Sequence, residues 1–283
     1  MASKRVIVIT GPTASGKSAL AVQLAARLGT EVIGADSRQI YRGMPILTAV
    51  PSAEERQGIR HRLIEVLDVE EYCSAATWCD MALGEIADVL TQHDEAVVCG
   101  GSMLYIDALT RGLDDLPTVP DDIRVATAEE AAEKGIEWAR AEVQRLDPDY
   151  FGKVDVNNLR RLVHAIELIR TAGVPYSSMR RGVRAERPFQ IEMRYLQPDR
   201  AELFARINAR TESMMAHGAL DEAKRLYPKR HLNALNTVGF KELFAHIEGR
   251  MSLDEAVARI QKNTRVYAKK QLLWIRHRLE AQR

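Results

Sequence analysis

Eight residues near the start of the chain, Gly11-Pro12-Thr13-Ala14-Ser15-Gly16-Lys17-Ser18, fit the spacing G-x-x-x-x-G-K-[ST]. The chemistry this spacing serves is phosphate binding. Gly11 and Gly16 let the backbone turn its N–H groups inward, Lys17 adds a mobile positive charge, and the helix that begins there adds its positive end. Ser18 offers a hydroxyl suited to Mg²⁺, a hard cation that bridges phosphate oxygens. The apolar run Val6-Ile7-Val8-Ile9 before the loop and Ala19 to Leu28 after it supply the strand and helix that the pattern requires. The eight residues are therefore expected to bind a diphosphate or polyphosphate. A carboxylate, Asp36, follows a second short apolar run, Glu31-Val32-Ile33-Gly34-Ala35. In an open parallel sheet that position faces the same crevice as the phosphate loop, and suits a base acting on an acceptor held opposite the phosphates. Enzymes that transfer a nucleotide's γ-phosphoryl usually carry an acid at the end of an apolar strand to hold Mg²⁺. Here Ala96-Val97-Val98-Cys99 ends in Gly100-Gly101-Ser102 without one. A small-molecule kinase is disfavoured by this, not excluded.

These residues need strands and helices to position them, and the chain supplies both in alternation. Strands are expected at 6–9, 31–35, 62–67 and 96–99, with helices at 19–28, 52–58 and 74–90 between and around them. The fold class is α/β, a P-loop NTPase-like parallel sheet flanked by helices. From about Leu116-Pro117 the character changes to helical segments at 126–134, 136–146 and 157–171, and a period-two run at 189–196 returns to the sheet. The expected organisation is a catalytic core formed by 1–116 and 189–283, interrupted by a small all-helical insertion domain at 117–188. In the last helix Val257, Ile260, Thr264, Ala268, Leu272, Ile275 and Leu279 form a core-facing stripe. Lys262, Arg265, Lys269 and Arg276 form a second, basic stripe.

Composition narrows the setting. The chain has 283 residues, is 46% hydrophobic and 28% charged, and has no apolar run near the length of a membrane span, so no membrane association is expected. Met1-Ala2-Ser3-Lys4-Arg5 leads straight into the first strand, so no cleavable leader is expected. Cys73, Cys79 and Cys99 are odd in number and lack metal-binding spacing, and read as reduced thiols of a cytoplasmic protein. The net charge of +1 hides an asymmetry: 61–150 holds 6 Lys/Arg against 21 Asp/Glu, 151–210 holds 12 against 6, and 259–283 holds 8 against 1. Two basic blocks in a phosphate-binding protein fit either solvated helix faces or a polyanionic partner.

The loop G-P-T-A-S-G-K-S, followed by Gly34-Ala35-Asp36-Ser37-Arg38-Gln39-Ile40-Tyr41-Arg42-Gly43-Met44, resembles the tRNA dimethylallyltransferases. Val98 to Tyr105 is similar to their G-G-T-G-L-Y turn, and Asp199-Arg200 through Arg206-Ile207 and Arg210 to their D-R-x-x-L-x-x-R-I-x-x-R helix. Thr237 to Leu243 and Asn263 to Gln271 match two further signatures. The resemblance implies transfer of a dimethylallyl group from dimethylallyl diphosphate to N6 of the adenine immediately 3′ of a tRNA anticodon, with Mg²⁺ assisting the departing diphosphate. It implies Asp36 as the base, with Ser102 and Arg206 also catalytic. Residues Gly11 to Ser18, Arg206 and Arg210 would bind diphosphate, and Ser18 the metal. Asp36, Ser37, Arg38, Gln39 and Ser102 would meet the flipped base, and Arg124, Arg160, Arg161 and His164 of the insertion would grip the anticodon stem-loop. A monomer is expected. The chain departs from the family pattern at Leu47-Thr48-Ala49-Val50-Pro51, where the family shows G-T-A-K-P. Ser102-Met103 stands for Thr-Gly, and His164 for Arg. The alternative is an adenylate isopentenyltransferase, which prenylates a free nucleotide; the two basic blocks weigh against it.

Overall fold

The computed structural model describes residues 4–114, 116–180, 182 and 185–280; Met1 to Ser3, on which the expectation about a leader partly rests, lie outside them. Five parallel strands form one sheet in the order β3-β2-β4-β1-β5: β1 (Arg5–Thr10), β2 (Val32–Gly34), β3 (His61–Arg62), β4 (Glu95–Gly100) and β5 (Gln190–Tyr195). The register sets Thr10 beside both Gly100 and Tyr195, and Gly34 beside Cys99. The carboxyl ends of β1, β2 and β4 therefore finish at one level, and the loops that leave them share one edge.

Alternation along β1 explains why it reads as a continuous apolar run. Ile7 and Ile9 pack with Val97 against Ala21, Leu24 and Ala25 of α1 (Lys17–Leu28). Val6 and Val8 pack on the opposite face with Ile33, Val98 and the helix α4 (Ala75–Gln92), through Trp78, Ala82 and Ile86. A strand covered on both faces has no polar side. Full burial of a branched side chain is worth roughly 1.5–3 kcal/mol, so even the three-residue β2 is held firmly by Val32 and Ile33.

Two short helices, α2 (Pro45–Thr48) and α3 (Ala53–Arg56), lie in the connection from β2 to β3. The helix expected at 52–58 is shorter because Ser52 and Glu55 form a reciprocal cap at its start and Gln57 takes a left-handed φ of 49° at its end. The strand expected at 62–67 stops after Arg62. Leu63 and Glu65 have φ of 56° and 54°, conformations no ladder accommodates. Their run instead donates from Glu65 N to Gln39 O and from Val66 N to Ile40 O, both at 2.8 Å. After β4 comes α5 (Met103–Arg111).

The chain divides into two compact units, residues 1–110 with 186–283, and Arg111–Ala185. The second unit begins and ends a few residues before the insertion bounds expected at 117 and 188. It contains α6 (Asp121–Leu146), α7 (Pro148–Phe151), α8 (Leu159–Ala172) and α9 (Tyr176–Met179). Within α6 Gly135 is non-helical, at φ 72°, which separates the two segments expected at 126–134 and 136–146. Ala139 and Val143 pack on Leu162, Ala165 and Ile166 of α8 to form this unit's own core. Buried Asp147, between α6 and α7, ties α9 to this junction, accepting from Tyr150 N, Ser177 N and Ser177 Oγ.

Back in the first unit, β5 leads to α10 (Arg200–Ala216), α11 (Ala219–Leu226), α12 (Phe240–Ile247) and α13 (Leu253–Glu280). On α13 Ile260, Ala268 and Ile275 are buried as the stripe predicts, joined by a polar residue, Gln271. The basic stripe is partly engaged: Arg265 donates to Asn208 Oδ1, and Lys269 sits 5.5 Å from the ring centre of Phe204.

Candidate active site at the carboxyl edge of the sheet

The turns after β2 and β4 interlock. A β-carbon at Gly100 would collide with the Ala35 carbonyl, so only glycine lets the two backbones approach this closely. Ala35 N donates to Cys99 O at 2.8 Å, and Ser102 N to Ala35 O at 3.3 Å. The Ser102 hydroxyl accepts from Ser37 N at 2.8 Å and so keeps its own proton to donate. Asp36 Oδ1 accepts from Arg38 N at 2.9 Å and Gln39 N at 3.3 Å. This fixes the carboxylate and leaves Oδ2 as its second oxygen for a ligand.

The phosphate loop follows β1. Ala14 and Gly16 take φ of 61° and 88°, the left-handed positions that curl the backbone before α1. Lys17 Nζ donates to Pro12 O at 2.8 Å. Burial lowers the pKa of Lys17, opposed by the neighbouring Cys99 and the charge of Asp36. Cys99 itself is pushed up to about 11 by burial, which keeps it a neutral thiol. The Ser15 hydroxyl is buried without a hydrogen-bond partner, as a group held for a phosphate oxygen would be.

Side chains from α10 and α13 close on these loops. Gln271 Oε1 accepts from Thr13 N at 2.9 Å while its Nε2 donates to Gly101 O at 2.8 Å. One buried amide thus joins the phosphate loop to the turn after β4. Tyr267 keeps 39% of its surface exposed, and its phenol is pushed up to about 12, first by the part that is buried and then by the charge of Asp36. Arg210 is half-buried and donates to Ala49 O at 3.4 Å; burial lowers its pKa, opposed by Glu55 and Asp36. Arg206, expected beside it, is exposed and pairs with Glu202 at 3.5 Å. Gln39 Nε2 donates to Thr48 O at 3.0 Å and Ala49 O at 2.7 Å. Arg38 donates through Nη1 to Asn233 O at 2.8 Å and Ala234 O at 3.1 Å.

In the second unit Arg160, Arg161 and His164 are exposed on the first two turns of α8. His164 Nδ1 lies 3.5 Å from Glu167, and Arg124 lies 3.8 Å from Asp121 and donates to Val119 O. Gln271, Tyr267 and Glu222 are the functional candidates that residue-by-residue reading passed over. Gln271 had a visible signal, an amide next to Leu272 and three residues after Ala268 of the core-facing stripe. Among the described residues no three His, Cys, Asp or Glu side chains gather to hold a metal. Ser18 offers one hydroxyl oxygen at the loop, which would suit Mg²⁺, a hard cation able to take its other ligands from substrate and water. No described helix is long and apolar enough to cross a membrane.

A parallel sheet with a phosphate cradle after β1, an acid after β2 and a hydroxyl after β4, the strand between them, defines a P-loop-type enzyme that works on a diphosphate or polyphosphate. The chain belongs to the IPP transferase family, whose pattern matches residues 39–278. It is 43% identical over 270 residues to tRNA dimethylallyltransferase 2 of Parabacteroides distasonis, covering 95% of this chain and 90% of that one. Identity to the tRNA dimethylallyltransferase of Christiangramia forsetii is 40%, over 97% of this chain and 91% of that one. Among solved structures, the tRNA isopentenylpyrophosphate transferase of Bacillus halodurans superposes with a TM-score of 0.68 at 34% identity, covering 96% of this chain and 87% of that one. A eukaryotic dimethylallyltransferase acting on tRNA gives a TM-score of 0.81 at 27% identity, over 96% and 70%. The chain is therefore a prenyl-transferring enzyme, and the kinase alternative is set aside.

Proposed function

We propose that this protein transfers a dimethylallyl group from dimethylallyl diphosphate to N6 of the adenine immediately 3′ of a tRNA anticodon, releasing diphosphate. Besides family membership, one observation supports the reading most: the Ser102 hydroxyl joins the acceptor-side turn at Ser37 while keeping a proton for the diphosphate side. Donor and acceptor thus meet at one hydroxyl. As the bond from the dimethylallyl carbon to its diphosphate oxygen breaks, charge grows on the leaving group. Loop N–H groups, Lys17, Ser102 and the half-buried Arg210 oppose that charge. The same carbon bonds to N6, and the proton N6 loses goes to Asp36. Mg²⁺, held through Ser18 and the diphosphate oxygens, would add Lewis-acid stabilisation of the leaving group. Arg206, exposed on α10, would join from outside the cradle once the substrate is present.

The base must leave its stack to reach such an edge, which a single-stranded anticodon loop permits. The helical unit, through Arg124, Arg160, Arg161 and His164, is the part we assign to the stem-loop. Incubation with tRNA, labelled dimethylallyl diphosphate and Mg²⁺ tests the whole reading. Label should appear in a prenylated adenosine of the tRNA, and free AMP should take up little. Efficient prenylation of AMP with unlabelled tRNA would shift the assignment to an adenylate isopentenyltransferase.

A further inference from the structure

Glu222 on α11 is 1% exposed, an expensive place for a carboxylate. Its two oxygens have a single employment. Oε2 accepts from Ile46 N and Oε1 from Leu47 N, both at 2.9 Å, which caps the start of α2 from another element. Burial raises the pKa of this carboxyl, and the two N–H bonds oppose the rise. From the same helix Arg225 donates to Gly43 O at 2.8 Å, so α11 grips the loop before α2 as well. At the other end of α2 the carbonyls of Thr48 and Ala49 take both hydrogens of the Gln39 amide. With its N–H bonds spent, Gln39 has only Oε1 left to offer a ligand, and it becomes a pure acceptor. An acceptor at that place suits an exocyclic amine and opposes a base that carries a carbonyl there.

We propose that Glu222 is a positioning residue for the acceptor base: by capping α2 it sets the Thr48 and Ala49 carbonyls that hold Gln39 with its Oε1 presented to the adenine. This rests on the functional reading above and deepens it. Glu222 touches neither substrate nor the phosphate loop, and its one link toward the donor is the long bond from Arg210 to Ala49 O at 3.4 Å, so its influence should fall chiefly on the acceptor. That asymmetry separates positioning from a general contribution to stability.

Glu222→Gln keeps the shape and turns an N–H toward one of the two backbone donors. The KM for tRNA should rise about tenfold or more, the scale of losing a charged hydrogen bond, while the KM for dimethylallyl diphosphate should stay within about twofold. A double-mutant cycle then asks whether the effect runs through Gln39. In a Gln39→Ala background, Glu222→Gln should change kcat/KM for tRNA by no more than about twofold. Equal losses in both backgrounds, or a matching rise in KM for the diphosphate, would overturn the assignment. If Glu222→Gln does not fold, Glu222→Asp, which keeps the charge with a shorter reach, goes through the same cycle. The wild type is the control on the reading itself. If it labels no tRNA, the functional reading fails and takes this inference with it; if it labels tRNA and the cycle is multiplicative, only the role of Glu222 fails.

Discussion

The two oxygens of Asp36 have different work. Oδ1 holds the turn by accepting from Arg38 N and Gln39 N, and in the proposed reaction Oδ2 takes the proton of the acceptor amine. Asparagine keeps the first function and loses the second. Asp36→Asn should therefore lower the single-turnover rate by about 10²–10⁴ with little change in tRNA binding. A wild-type rate in rapid-quench assays would move the base elsewhere. Lys17 makes a second prediction, with a definite sign. Burial holds its pKa below the ordinary 10.5, and only the ammonium form attracts diphosphate. Affinity for diphosphate should then fall as pH rises through the lowered pKa, on the acid side of 10.5. Calorimetric titrations from about pH 7 to pH 10 should show that limb in the wild type and none in Lys17→Met. Turnover of Lys17→Met should drop by at least roughly 100-fold, as for other lost transition-state donors.

At the scale of elements, α13 is fastened to the site by one amide. Gln271→Ala would strand Thr13 N and Gly101 O, which it now satisfies together. Leaving such groups unpaired costs about 1–3 kcal/mol each. Denaturant unfolding should show a loss of that order, and dimethylallyl diphosphate should bind more weakly, because the phosphate loop loses its outer brace. Unchanged donor affinity in a folded Gln271→Ala protein would reduce the residue to packing. The amide also marks where sequence reading reached its limit. Strands such as Val6 to Ile9, the loop that follows and the apolar stripe of α13 are local patterns, and each was legible from neighbours a few positions apart. The bond from Gln271 to Thr13 joins residues 258 positions apart, and no local rule reports it. The misread strand at 62–67 has the same origin. Leu63 and Glu65 carry no glycine-like cue for their left-handed backbone; the pull of Gln39 and Ile40 carbonyls on that run is tertiary. Glu222 was hidden likewise, since an acid on a helix reads as surface until the loop that buries it is known.

Over the whole molecule the net charge is only +1, so long-range attraction cannot bring a polyanion to this protein unless the charge is locally sorted. It is sorted: the block at 151–210 holds 12 Lys/Arg against 6 Asp/Glu, and Arg160 and Arg161 stand exposed on α8 within it. If these two meet phosphates of the anticodon stem, each releases about 0.7–0.9 counterions on binding. The logarithm of tRNA affinity should fall linearly with the logarithm of salt concentration, and the Arg160→Ala, Arg161→Ala double variant should flatten that slope by about 1.4–1.8. Filter binding or fluorescence anisotropy across a salt series reads the slope directly. Turnover at saturating tRNA should fall far less than affinity, because neither arginine lies in the unit that carries the phosphate loop and Asp36. The opposite pattern, a wild-type slope with depressed turnover, would remove the helical unit from tRNA grip and give the two arginines another role. Free AMP has no stem for this unit to hold, so the double variant should leave any residual activity on AMP unchanged while losing affinity for tRNA. That contrast separates loss of grip from a general loss of fold.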